Sequence, residues 1–194
     1  SYTYLSNTNR ALLSIGFQEN KIESHQFQFN HKFWTNWLIN LQSNLETNES
    51  LSENFSSRNF NLDEVRFEPK LSYIFSENAR FDIFYTYTSK DNTIGGFEQL
   101  QQNNYGISFT YNKASKVALT GEINFFKNEF TGNVNSPVAY QMLEGLQPGD
   151  NFTWRLLAQK KLTKFLDLNL NYFGRQTETS KAVHTGSIQL KAYF

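Results

Sequence analysis

The sequence predicts an all-β fold, an antiparallel up-and-down β-barrel with about ten strands visible, on three observations. Apolar and polar residues alternate with a period of two through most of the chain, as in Phe81, Ile83, Tyr85 and Tyr87 against Asp82, Phe84, Thr86 and Thr88. That is the pattern of a strand with one face buried and the other wet. Short and long polar connections alternate between these segments. Aromatic residues reach 16% of the chain and gather near strand ends, at Phe33, Trp34 and Trp37, at Tyr73 and Phe75, and at Phe152 and Trp154.

Composition bounds the class. The 194 residues suffice for one domain. Only 39% are hydrophobic and no run approaches the length of a membrane-crossing helix, which excludes a helical membrane protein. A strand crosses in about 9–11 residues with every second one facing lipid, so low overall hydropathy is compatible with a transmembrane barrel. There are no cysteines, and therefore no disulfide framework and no thiolate metal site. Eighteen acidic and eighteen basic side chains cancel, which gives no support for a nucleic-acid partner. No signal peptide stands at Ser1; a protein exported to an outer membrane carries one in its precursor.

Taken in order, Tyr2 to Leu5 reads as the end of a preceding strand and Ser6 to Asn9 as a turn. Residues 1–9 are thus set apart from 10–194, which hold about ten strands of a single β-barrel domain spanning 1–194. A strand over Arg10 to Gln18 points Ala11, Leu13, Ile15 and Phe17 one way, and a turn at Glu19 to Lys21 follows. The next strand carries His25, Phe27, Phe29, His31 and Phe33 on one face and Lys32 on the other. Beyond a tight connection at Trp34 to Asn36, Trp37, Ile39, Leu41 and Leu45 share a face. A fourth strand sets Val65, Phe67, Pro69, Leu71, Tyr73 and Phe75 against Glu64, Arg66, Glu68 and Lys70. Pro69 has no N–H to give to a ladder, so a bulge or bend is expected there. Further strands follow around Phe81 to Thr88, Tyr105 to Tyr111, Lys116 to Phe130, Phe152 to Gln159 and Leu166 to Arg175, and a closing one runs from Lys181 to Phe194. In the longest connection, 131–151, Ala139 to Gly145 can make about two helical turns.

The connections sort by parity. With the last residue placed at the periplasmic rim, the long segments 47–62, 89–103 and 131–151 all fall outside, and the short turns near 6–9, 34–36, 76–79, 112–115 and 161–164 all fall inside; two outside connections, near 19–22 and 176–180, are short, but no inside one is long. Transmembrane barrels show this arrangement. A soluble sandwich has no reason to. The faces sort as well. The outward sets are Leu, Ile, Val, Phe, Tyr and Trp, whereas the inward sets hold Lys32, Glu64, Arg66, Glu68, Lys70, Asp82, Glu122, Arg155, Asp167, Arg175, Gln189 and Lys191, expected to line a lumen. The alternating signs of Glu64, Arg66, Glu68 and Lys70 suit either a solute path or a mutually neutralising ladder that fills a narrow lumen.

In the closing strand Ile188, Leu190, Ala192 and Phe194 share a face opposite Gln189 and Lys191. A strand ending in this way on an aromatic residue resembles the last strand of Gram-negative outer-membrane β-barrels, where the assembly machinery reads it as an insertion signal. The resemblance implies a transmembrane β-barrel of the cell outer membrane with both termini periplasmic. It also implies outer-membrane lipid and the barrel-assembly machinery as partners, and a non-enzymatic, porin-like part in transport, secretion or surface assembly. It leaves two readings of completeness. One is a closed ten-stranded barrel preceded by a periplasmic extension. The other is the C-terminal portion of a larger barrel whose remaining strands come from upstream or from other outer-membrane subunits.

Reactive chemistry is sparse. A ten-stranded barrel also resembles the outer-membrane proteases, which place acidic residues and a histidine at the outer rim; His184, Asp91 and Asp150 would be the counterparts here, but ordinary rim and loop roles account for them better. His25 and His31 lie about 20 Å apart on one strand, too far to share a metal. No catalytic residues, metal ligands or cofactors are assigned. Tyr140, Met142 and Leu143, in the longest connection, are the expected contact for an external partner, because loops on a rigid scaffold often carry function. A soluble β-sandwich or barrel that binds a ligand is the remaining alternative.

Overall fold

The structure, a computed structural model, describes residues 1–13, 16–114 and 116–193. It contains β1 (Tyr2–Leu13), β2 (Gly16–Lys32), β3 (Trp37–Ser52), β4 (Phe60–Ser76), β5 (Ala79–Asn92), β6 (Gln99–Lys113), β7 (Val117–Thr131), β8 (Gly149–Thr163), β9 (Leu166–Thr177) and β10 (Val183–Ala192), with a short helix α1 (Pro137–Leu143) between β7 and β8. The ten strands form one sheet in chain order, each antiparallel to its neighbours in sequence. This is the up-and-down architecture that the alternation predicts. Ile15 and Phe194 lie outside the described residues.

The first hairpin differs from expectation. β1 pairs with β2 without a break from Tyr2↔Phe27 to Leu13↔Gly16. Ser6 to Asn9 and Glu19 to Lys21 are therefore mid-strand, and the fragment at residues 2–5 is part of a full strand. Asn and Ser favour turns in isolation, but here Asn9 faces Asn20 and Ser6 faces Glu23 across the ladder. Tertiary pairing overrides the local preference. The register also puts Ala11 opposite Gln18, on the polar face and not on the face of Phe17.

At Pro69 the ladder to β5 skips from Phe67↔Tyr87 to Lys70↔Phe84 with no change of register, and the shift expected there lies instead between Ile74 and Ser76. Pro69 withholds one hydrogen bond without inserting a residue. On its other side it still pairs in register, with Leu41.

The strands are longer than the alternation of apolar residues. Polar cross-strand partners extend them at one end, with Thr47 Oγ1 donating to Asp63 at 2.9 Å and Ser50 Oγ to Asn20 at 2.8 Å. The long connections consequently shrink to 53–59, 93–98 and 132–148, and they stand at the same end of the sheet as 178–182. The short ones, 33–36, 77–78, 114–116 and 164–165, stand at the opposite end.

Helix α1 begins two residues earlier than expected because Ser136 caps it, its Oγ accepting from Ala139 N–H at 3.0 Å, and Pro137 occupies the first turn, where no N–H is needed. Glu144, left-handed at φ 54°, ends it. Val138, Met142 and Leu143 pack on Leu62 and Leu100, with Phe60 and Phe130 at the margin. This is the main apolar core among the described residues. It lies between the long connection and the polar face of the sheet. Beneath it, the buried Glu98 carboxylate ties two connections together, accepting from Asn92 Nδ2 at 2.7 Å and from Ser136 Oγ at 3.3 Å.

Candidate functional site

The register sorts the strands into two faces. Across β3 to β8 one row runs Gln42, Glu68, and another runs Ser72, Asp82, Ser108, Glu122, Arg155, all polar. The opposite face presents Ile39, Leu71, Ile83, Ile107, Ile123 and Trp154 on one continuous row. Large apolar side chains on that outer face are exposed, among them Phe67, Ile83, Ile107, Ile123, Leu156 and Ile188. The polar face folds round a cavity of about 510 Å³ bounded by β4 to β7 and roofed by Glu144.

Charges on this inner face neutralise one another locally. Glu68 lies between Lys70 Nζ at 3.1 Å and Arg66 Nη2 at 3.4 Å, and accepts from Thr86 Oγ1 at 3.2 Å. Asp82, 2% exposed, accepts from Ser72 Oγ at 2.5 Å, Arg80 Nε at 3.1 Å and Ser108 Oγ at 3.1 Å. A carboxylate that deep stays tolerable because two hydroxyls and one guanidinium replace its water. Lys90, also buried, reaches Glu64 at 3.4 Å and Glu144 of the long connection at 2.5 Å. Between these groups run amides: Gln102 donates to Asn128 at 3.0 Å, Asn104 to Asn124 at 3.2 Å, and Asn124 to Glu122 at 2.8 Å.

All twelve residues expected to line a lumen occupy this one face by register. Glu64, Arg66, Glu68, Lys70, Asp82 and Glu122 meet around the cavity. Lys32 lies further along the face on β2, opposite Leu38 of β3. Arg155, Asp167, Arg175, Gln189 and Lys191 continue the face onto β8 to β10, where Tyr193 Oη donates to Asp167 at 3.2 Å and Arg175 Nη1 donates to the Gly145 carbonyl of the long connection at 3.5 Å. Arg80, Lys90 and Glu144 complete the network and were not foreseen. Lys90 falls in the segment read as loop from Ser89 onward, although the parity of Asp82, Thr86 and Thr88 continues straight through it.

The expected external contact is corrected. Met142 is 0% and Leu143 3% exposed, both turned down onto the sheet, and Tyr140 alone, at 73%, is open for a partner. Their apolar character serves the core of the long connection. His184, Asp91 and Asp150 are not brought together, lying on β10, β5 and β8. His184 is instead bound to Tyr172, whose hydroxyl lies 2.7 Å from its Nδ1, and rests near Trp154 on the apolar face. Among the described residues no three His, Cys, Asp or Glu side chains cluster as metal ligands. Ile188, Leu190 and Ala192 share the outer face, paired with Leu170, Leu168 and Leu166.

No protein-family model and no curated protein matches this chain. Among solved structures, the NanC porin in a rhombohedral crystal form aligns over 100% of this chain and 93% of its own, with 12% identity and a TM-score of 0.53. At that identity the likeness speaks for backbone architecture alone. Together with the ten-stranded antiparallel order and the two-faced register, it gives this chain the up-and-down β-barrel fold found in a porin.

Proposed function

We propose that the chain forms the wall of an outer-membrane β-barrel and acts, without enzymatic chemistry, as a porin-like conduit for water-soluble solutes. The carrying observation is the two-faced sheet. An apolar band faces outward, for example from Val65 to Phe75 on β4 and from Val117 to Phe125 on β7, opposite a continuous polar face. Its height matches the about 9–11 residues with which a tilted strand crosses a bilayer. A soluble barrel would hide the apolar face and wet the polar one; here the polar face encloses the cavity. The porin neighbour supports the same reading at the level of fold.

Short connections lie on the periplasmic side in this proposal, with the termini, and the long connections face outward. Outer-membrane lipid contacts the apolar band, and the barrel-assembly machinery receives Ile188, Leu190, Ala192 and Phe194 during insertion. Hydrocarbon offers no hydrogen bonds to an open strand edge. The outer edges of β1 and β10 therefore pair with each other, or with further strands from the same barrel or another subunit.

The test is extraction. The chain should leave an outer-membrane fraction only with detergent and migrate differently on gels when boiled and unboiled. Purification as a soluble monomer would sink the proposal. Because the protein has no cysteine, orientation is read with single substitutions: a membrane-impermeant maleimide on intact cells should label Tyr140→Cys and spare Asn78→Cys.

A further inference from the structure

We infer that the inner cavity is a binding site for a neutral polyhydroxylated solute, of the class of short oligosaccharides, centred on Asn104 and Phe126. The inference rests on the reading of this face as a water-filled lumen and names the solute class that the lumen favours. Asn104 lines the cavity and is 8% exposed. Its Nδ2 donates to Asn124, but its buried Oδ1 has no donor among the described residues. A buried amide oxygen without a donor is costly, and turning the Asn104 amide toward the cavity lets a ligand hydroxyl supply what it lacks. In the register Asn104 stands between Thr86 of β5 and Phe126 of β7. Both line the same cavity, giving a hydroxyl on one side of the amide and an aromatic surface on the other. An acceptor flanked by a hydroxyl and a ring suits a sugar, which has hydroxyls at its rim and C–H groups on its faces.

The charges at the site argue against an ionic ligand. The cations that line the cavity, Arg66, Lys70 and Arg80, already hold Glu68 and Asp82, and an anion would have to displace a carboxylate from each. A cation would meet the same obstacle in reverse at Glu68 and Asp82; Glu122, held by the neutral Asn124 amide at 2.8 Å, is the carboxylate that the choline titration tests. A neutral solute displaces neither.

The experiment uses the purified full chain in detergent micelles, titrated calorimetrically with maltotriose, gluconate and choline as neutral, anionic and cationic probes. Maltotriose should bind about tenfold more tightly than the other two, and Asn104→Val and Phe126→Leu should each weaken it about tenfold, the loss of one hydrogen bond or one ring contact. Circular dichroism and heat-modifiable migration identify which variants fold. Should Asn104→Val not fold, Phe126→Leu, which keeps an apolar side chain in place, decides the matter alone. Gluconate or choline binding as tightly as maltotriose would overturn the inference, and so would maltotriose affinity unchanged in a folded variant. A chain that needs detergent and shows heat-modifiable migration yet fails to bind maltotriose refutes the site and leaves the conduit standing. A chain soluble without detergent refutes the conduit, and the same titration in buffer still decides the site.

Discussion

The ring of Phe84 lies over Gly106, its direct cross-strand partner, and fills the place that a Cβ there would take. Trp154 covers Gly174 in the same manner on the opposite face. In each pair a glycine lets an aromatic ring lie down against the sheet, and the ring shields a backbone that has no side chain of its own. Gly106→Val should push Phe84 off its seat and cost about 1–3 kcal/mol, the usual range for overpacking. Phe84→Ala in the same chain should remove most of that penalty. Urea unfolding of the single and double variants in lipid gives the coupling, and additive effects would contradict the packing described.

The two faces of β7 should respond oppositely to charge. Ile123→Lys puts an ammonium in the apolar band and should destabilise the folded, inserted chain by about 2–4 kcal/mol if it lies at mid-depth. Thr120→Lys, on the inner face, should stay within about 0.5 kcal/mol. Equal effects at both positions would argue against lipid on the outer face.

Lys90 is the one described ionic link between the strand wall and the 132–148 connection. Lys90→Met should leave Glu64 without its cation and release Glu144. The cost should be about 1–3 kcal/mol, below that of a fully buried pair because Glu144 is 69% exposed. Hydrogen exchange should accelerate at residues 137–146 and stay unchanged in β8 to β10. Glu144→Gln, which keeps a hydrogen-bonding oxygen, should accelerate it less.

Met142→Ala should loosen the same connection through packing, by about 2–5 kcal/mol for a methionine wholly out of water. Tyr140→Ala, three quarters exposed, should leave stability within about 0.5 kcal/mol. Limited proteolysis distinguishes them: cleavage within 132–148 should rise for the first and not for the second.

How far each feature was legible follows from how local its cause is. The faces of β4, β5, β8, β9 and β10 were readable residue by residue, because a period of two needs no knowledge of the partner strand. From 33–36 onward, the end of the sheet at which each connection lies followed from strand parity. The first hairpin was not legible, since Ser6 to Asn9 is extended only because Ile22, Glu23 and their neighbours pair with it. Strand ends such as Thr47 to Ser52 escaped for the same reason, being mostly polar residues held in register by their partners on β2 and β4. The ionic row of β4 was visible within one strand, whereas the contact of Lys90 with Glu144 joins residues 54 apart and depends on the fold of the long connection. Met142 and Leu143 carried an apolar signal that fits a partner contact and a local core equally well until Leu62 and Leu100 are placed beneath them.

The pairing of every strand with its sequence neighbours alone has a consequence for how such a wall can change over time. Adding or removing one hairpin alters the circumference by two strands while each remaining strand keeps its polar side inward and its apolar side outward. In the proposed conduit, pore width can thus be revised by duplication or loss of a single hairpin, with no rewriting of the alternation elsewhere, whereas a change of one strand would reverse the direction of all that follow and move the long connections to the opposite end of the sheet.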